Sequence, residues 1–309
     1  MEWIIIGGIA IAIGVFVYFN FIRKNKKEEE VDITVKPNTT SRPGIKKALL
    51  VGINKYRPDL NADLRGCVND VEMVRYLLVN KFDFEPDNIR VVVDDRATQT
   101  NILHRLQWLI NDTKEGDLLV FHFSGHGSQV RDRNGDELND HLDEIICPHD
   151  LNWNYPFTDD MLQEIFAKAP KSVKIIMIAD CCHSGTIVRE LGNPRYEKAR
   201  FILPPFDIRS RSLNKRLPKR KIMEKTQKEV QRVVLLSGCK DNQTSADAYI
   251  NGKYNGALSW AVYTTIMNNS NITYKQLHEG VYNLLKKGGF SQEPQLSGPS
   301  DLLNAKIFS

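Results

Sequence analysis

Two stretches, DLLVFHFSGHG at residues 117–127 and VKIIMIADCCHSG at residues 173–185, decide the fold. Each is a short, β-branched apolar run stopped by small residues, which predicts a buried parallel strand feeding a tight turn. In an open α/β sheet, chemistry gathers in the crevice beyond the carboxyl ends of the strands. Neighbouring strands of this kind bring the His126 imidazole and the Cys182 thiol to one crevice. A base beside a thiol generates thiolate at neutral pH, and a thiolate is a nucleophile. Glycines on both sides of His126 let the backbone turn sharply and present the ring. His122, two residues earlier, lies within the apolar run and reads as packing. Cys181 and Cys182 are adjacent at a strand end and point in opposite directions, so only one faces the crevice.

Outward from these stretches, strand and helix periods alternate. Residues 46–53, 89–95, 117–123, 173–180 and 232–238 read as strands, and the terminal NAKIFS as one more. Residues 70–82, 100–114, 159–169, 256–267 and 273–287 read as helices. Val71, Val74 and Leu78 line the inner face of the first, and Leu103, Leu106 and Ile110 that of the second. The alternation predicts an α/β fold, a mostly parallel sheet with helices on both faces.

The 309 residues are 41% hydrophobic and 26% charged, ordinary for a folded chain that buries one sizeable core. Five cysteines (Cys67, Cys147, Cys181, Cys182, Cys239) lack the even number and spacing of a disulfide framework, which points to a reducing compartment. The net charge is +4, yet 14 basic and only 5 acidic residues fall between Arg189 and Arg232, leaving the rest of the chain net acidic. A basic insert in an acidic body reads as a solvated loop, not a phosphate groove, so nucleic acid is excluded as a partner.

Residues 3–22 form a continuous apolar run of a length that crosses a bilayer as a helix. The basic cluster Arg23-Lys24-Asn25-Lys26-Lys27 follows it, while only Glu2 and the amino terminus precede it. The charge bias predicts a single-pass anchor over residues 1–22, with the amino terminus outside and the catalytic domain cytosolic. A missing basic n-region and cleavage site weigh against a signal peptide. Residues 23–44, polar and closed by Pro43 and Gly44, read as a flexible tether.

Six motifs occur in order: GCVNDV (66–71), FSGHG (123–127), DCCHSG (180–185), LLSGCKDNQTSADA (235–248), NGALSWA (255–261) and SQEPQLSG (291–298). Together they resemble the metacaspases, caspase-like cysteine peptidases of clan CD, family C14, from about Gly44 to the end. The resemblance implies a caspase-like fold around a six-stranded sheet. It divides the body into a large-subunit-like part (45–188), a basic linker (189–231) and a small-subunit-like part (232–309).

It also implies that Cys182 is the nucleophile of a cysteine endopeptidase, His126 its acid–base partner, and the backbone N–H groups of Gly127 and Cys182 the oxyanion donors. Asp70, Asp180 and Ser124 match a pocket for the arginine or lysine of a protein or peptide substrate, and Cys67 the family's secondary cysteine position. Two carboxylates in a partly dry pocket favour a cationic guest. The alternative for Asp70 is a helix N-cap. A zinc site at Cys181 and Cys182 lacks the C-x₂₋₄-C spacing that chelation needs.

The acidic stretch 132–144 is not an EF-hand loop, because Gly135 falls too early. Calcium is nevertheless a family cofactor, and Asp143, Asp159 and Asp160 match three of its positions. The fourth falls on Arg189, with Glu190 next to it. The basic linker suits the chain's own pocket, so self-cleavage is expected there. A monomeric catalytic domain is expected. The rival is a catalytically silent caspase-fold scaffold, against which the intact set of His126, Cys182, Asp70 and Asp180 speaks.

Overall fold

The structure is a computed structural model that describes residues 44–131, 142–182, 196–209, 232–240 and 243–309. Its strands are β1 (Lys46–Gly52), β2 (Ile89–Val93), β3 (Leu118–Ser124), β4 (Gly127–Arg131), β5 (Leu142–Ile146), β6 (Phe157–Thr158), β7 (Lys174–Asp180), β8 (Tyr196–Ala199), β9 (Val233–Ser237), β10 (Ala246–Ile250), β11 (Lys253–Gly256) and β12 (Gln295–Ser297). The helices are α1 (Cys67–Lys81), α2 (Gln99–Ile110), α3 (Asp159–Phe166), α4 (Ala257–Asn268), α5 (Tyr274–Lys287) and the short α6 (Ser300–Leu303).

Six strands form the central sheet in the order β12-β9-β7-β3-β1-β2, all parallel except β12. Period-2 alternation sends Leu50, Val120, Ile178 and Leu236 to one face, where α1, α4 and α5 cover them. On the other face Phe121 meets Phe166 of α3 edge-on. Strand β3 is buried along its whole length, as its unbroken apolar run predicts. Its register against β7 sets Ser124 level with Asp180, and β1 brings Gly52 level with Ser124. The loops after β3 and β7 therefore leave the sheet side by side. Two antiparallel three-stranded sheets, β4-β5-β6 and β11-β10-β8, stand beyond those ends.

Several expectations are corrected. The terminal NAKIFS is not a strand; Lys306 makes only an isolated bridge to Thr273, and the sixth sheet position is taken by β12 instead. A three-residue edge strand carries too little period to be read from sequence. The first helix starts at Cys67, not residue 70, because Gly66 caps it. The linker 189–231 is not wholly outside the fold, since Tyr196–Ala199 is strand β8 of an antiparallel sheet.

The single-pass membrane placement is overturned. Among the described residues no helix is long and apolar enough to cross a membrane. The longest of them, α1, has 15 residues, about 22 Å at 1.5 Å per residue, and packs an apolar stripe against the sheet. Residues 1–22, expected as the anchor, and the tether up to residue 43 lie outside the described residues.

Candidate active site

The sheet ends assemble the site in layers. His126 follows β3 and is buried. Its ring Nε2 lies 2.7 Å from the Ala62 carbonyl, to which it donates, and its main-chain N–H donates to the Tyr56 hydroxyl at 2.8 Å. Donation from Nε2 fixes the neutral tautomer and leaves Nδ1 as the basic nitrogen, which has no hydrogen-bond partner among the described residues. Burial lowers the ring's pKa to about 4, so it is a neutral base at pH 7.

Cys182 follows β7 by two residues and is fully buried. Its sulfur meets the Ser245 N–H and lies 3.4 Å from the Ser245 carbonyl. Cys239 packs in the same cluster, and its hydrogen bond to the Cys182 sulfur, with burial, pushes its thiol well above the ordinary range. Burial does the same to the Cys181 thiol. The backbone of Gly127 presses directly on that of Cys182, and a Cβ at Gly127 would overlap the Cys182 carbonyl. The two candidate oxyanion amides are thereby locked together: Gly127 N–H and Cys182 N–H donate to one carbonyl oxygen, that of Arg200, at 3.0 and 3.2 Å.

The residues expected to line the pocket lie together, joined by a third carboxylate and by a buried arginine. Asp70, Asp180, Ser124 and Cys67 are all completely buried. Asp70 is not a helix cap. Its carboxylate accepts from Gly256 N–H (2.9 and 3.0 Å) and the Ser124 hydroxyl (2.7 Å). Asp180 accepts from Ser245 Oγ, Ser259 N–H and Ser259 Oγ. The amino-terminal end of α4 thus supplies amides to both carboxylates, the arrangement a helix dipole favours. A third acid, Asp247 on β10, is held by the Arg65 and Gly66 amides. Into these three carboxylates projects the guanidinium of Arg200, itself fully buried, at 2.8 Å from Asp70, 3.0 Å from Asp247 and 3.3 Å from Asp180. Against the cost of burial, Asp180, Asp70 and Asp247 push the Arg200 pKa well above its usual value.

Sequence reasoning missed Arg200, Asp247, Tyr56 and the Ala62 carbonyl. Asp247, Ser245 and Gln292 lie in the quoted motifs, and their packing explains those motifs. Gln292 accepts from Ala246 N–H and donates to the Gly238 carbonyl, fixing β10 against the loop after β9. Arg200 and the Ala62 carbonyl carry no local signal. His122 is packing, as read, with Nε2 3.4 Å from Ser259 Oγ.

For calcium, the register of β5 on β6 carries Asp143 toward Asp159 and Asp160 at the start of α3. Among the described residues, no group of three or more His, Cys, Asp or Glu is placed to hold a metal ion. Arg189 and Glu190 lie outside the described residues.

Comparison with known proteins follows the same lines. The family model for the metacaspase, peptidase C14 domain matches residues 46–190. The metacaspase-1 of Debaryomyces hansenii is 34% identical over 288 residues, covering 82% of this chain and 64% of that protein, just under two thirds of its length. That of Meyerozyma guilliermondii is 33% identical over 295 residues, covering 84% and 71%. That of Schizosaccharomyces pombe is 32% identical over 289 residues, covering 82% and 67%. A crystal structure of a Geobacter sulfurreducens protein superposes with a TM-score of 0.62 at 23% identity, covering 86% of this chain and 98% of that one, which shows a shared fold.

Proposed function

The chain belongs to the metacaspase family, peptidase C14, and on that premise we propose that it is a cysteine endopeptidase cutting protein or peptide substrates after arginine or lysine. The observation that carries the reading is the pair of amides, Gly127 N–H and Cys182 N–H, converging on one peptide carbonyl whose side chain lies among three carboxylates. Such donors are worth most where negative charge develops on the carbonyl oxygen in the transition state.

In the proposed reaction, His126 Nδ1 takes the Cys182 thiol proton as sulfur attacks the carbonyl carbon. The oxyanion forms between the two amides, and the proton then passes to the departing amine as the C–N bond breaks. Water attacks the resulting thioester, with His126 now removing its proton, and the free thiol is restored. The Ala62 carbonyl and the Tyr56 hydroxyl orient the His126 loop throughout. Asp70, Asp180 and Asp247 select a cationic side chain, and Ser124 adds a hydroxyl contact.

The large-subunit-like and small-subunit-like parts, 45–188 and 232–309, contribute jointly, since Asp247 and Ser245 belong to the second. Self-processing in the linker and calcium activation through Asp143, Asp159, Asp160 and Glu190 belong to the same proposal, with no step of the reaction routed through the cation. A panel of arginyl, lysyl and aspartyl reporter peptides, each assayed in excess chelator and in millimolar calcium, tests it. Arginyl and lysyl peptides are expected to turn over and the aspartyl peptide to be refused, with Cys182→Ala inactive and Cys181→Ala active. Equal turnover of all three overturns the pocket, equal rates with and without calcium overturn the cation, and no turnover at all favours the silent scaffold.

A further inference from the structure

Beside the nucleophile lies a second thiol, that of Cys239, which the peptide-cleaving steps do not use. Strands β7 and β9 run parallel with Ala179 level with Ser237, and Gly238 N–H donates to the Ala179 carbonyl at 3.0 Å, carrying that pairing into the loops beyond. Cys182 lies three residues past Ala179, and Cys239 two past Ser237. Strands about 4.8 Å apart therefore deliver both thiols to one place. There they share one buried cluster, and a hydrogen bond joins the two side chains.

The other neighbours turn the sulfurs toward each other. The Cys182 sulfur accepts from Ser245 N–H, a donor of the kind that favours a thiolate. His126 Nδ1 has no hydrogen-bond partner among the described residues, so the sulfur rests on the side of Ser245 and Cys239. Cys239 Sγ also reaches the Gln243 carbonyl at 3.2 Å. Cys181 adjoins Cys182 in sequence, but neighbouring residues at a strand end point in opposite directions. Cys67 and Cys147 lie outside the cluster.

The pair also has a way in. On the sheet face opposite α1, α4 and α5, a cavity of about 1050 Å³ is lined by Leu162 of α3, by Met177, Ala179 and Leu235 of the sheet, and by Cys239. It is wide enough for a small neutral solute. A buried cysteine that only fills space is inert. A thiol facing the nucleophilic sulfur and lining a cavity is placed as a resolving cysteine is.

We propose that Cys182 and Cys239 form a modification site, a thiol pair that hydrogen peroxide converts into a reversible disulfide. The Cys182 thiolate attacks one peroxide oxygen. The S–O bond forms, the O–O bond breaks, and the departing hydroxide takes up the proton the thiol had lost, leaving as water. The Cys239 sulfur then attacks the sulfenic sulfur. The S–S bond forms, the S–O bond breaks, and the Cys239 proton leaves with the hydroxyl as a second water. Two electrons pass from the thiols to the peroxide, and exchange with a dithiol reverses the change. That the disulfide silences turnover rests on the peptidase reading above; that it forms does not.

Reduced full-length protein treated with hydrogen peroxide, then followed by intact mass, non-reducing peptide mapping and arginyl-reporter turnover, tests this. The expected product has lost two hydrogens and carries a Cys182–Cys239 cross-link, with Cys67, Cys147 and Cys181 still free as all five thiols are before treatment. Turnover should fall at least about 10-fold and return with dithiothreitol. Cys239→Ser should form no cross-link, and its Cys182 should pass on to sulfinic acid, so that recovery with dithiothreitol is at least about 10-fold poorer. Peptide mapping needs no activity and decides the matter even where that variant is inactive.

Thiols left untouched by peroxide, sulfinic acid at Cys182 with Cys239 still reduced, a cross-link to Cys181, or full recovery of Cys239→Ser would each overturn the thiol pair. A Cys182–Cys239 cross-link in protein whose reduced form cleaves no reporter supports the pair and overturns the peptidase reading. Cross-linked protein that cleaves as fast as reduced protein overturns Cys182 as the nucleophile.

Discussion

At the scale of single residues, the site is decided by which partner each polar atom was given. Asp247 illustrates this: its carboxylate is fixed by two amides of the loop before α1, so its remaining lone pairs point at the guanidinium. A hydrogen bond to a charged group is worth about 1.5–3 kcal/mol net. Asp247→Asn is therefore expected to lower kcat/KM for arginyl peptides about 10- to 100-fold, mostly through KM, with the lost charge leaving the Cys182 chemistry in place. Steady-state kinetics checks it; an unchanged kcat/KM would remove Asp247 from the pocket. Asp70 and Asp180 were readable from their motifs, whereas Asp247 was written in a quoted motif without a role attached. A carboxylate's function depends on what faces it, and the facing group, Arg200, is 47 residues away in the chain.

At the scale of elements, the loops leaving β3 and β7 must touch. Gly127 has no room for a side chain because the Cys182 backbone occupies the place of its Cβ, and Gly256, the N-cap of α4, is walled by Asp180 and Arg200 in the same way. Gly127→Ala is expected to force those loops apart and cost at least about 100-fold in peptide turnover, the scale of losing an oxyanion donor. The fold should survive, because the strands below are paired independently of the loops. Turnover together with a thermal melt checks this; wild-type activity would mean the close approach has no part in the reaction. The sequence made glycines beside His126 legible as a turn. It did not reveal that one of them is a contact surface for the second strand's loop, which is a property of the register between β3 and β7.

At the scale of the whole molecule, burial of ionisable groups couples stability to pH. His122 and His126 both have pKa values lowered to about 4, first by burial, from an ordinary 6.5. Unfolding exposes rings that bind protons below pH 6.5, so their stabilising effect is complete above pH 6.5 and is lost as pH falls from there toward 4. Between pH 7 and 5 each ring is worth about 2 kcal/mol of lost stability. Asp70 acts in the opposite direction, its carboxyl pushed up to about 7 by burial, and offsets part of this loss. Comparing wild type with His122→Gln isolates one ring: the difference in unfolding free energy between pH 7 and pH 5 should shrink by about 2 kcal/mol in the variant. Identical pH dependence in the two proteins would mean that folding leaves that ring's affinity for a proton unchanged.

The chain's local patterns determined the α/β alternation, five of the six strands of the central sheet and the strand-end placement of His126 and Cys182, whereas the count of six and the acidic pocket came only through the resemblance of the motifs to a family. Hydrophobic period and turn chemistry are properties of neighbouring residues, and they survive in a linear text. What only the tertiary structure decided was occupancy: that β8, drawn from a basic stretch which reads as a connector, pairs with β10, and that Arg200 enters the pocket with its carbonyl between two amides. Lysines and arginines along residues 189–232 are indistinguishable by charge. Long-range strand pairing and the fit of one guanidinium among three buried carboxylates single out Arg200, because a buried acid is stable only where a cation or a donor is brought to it.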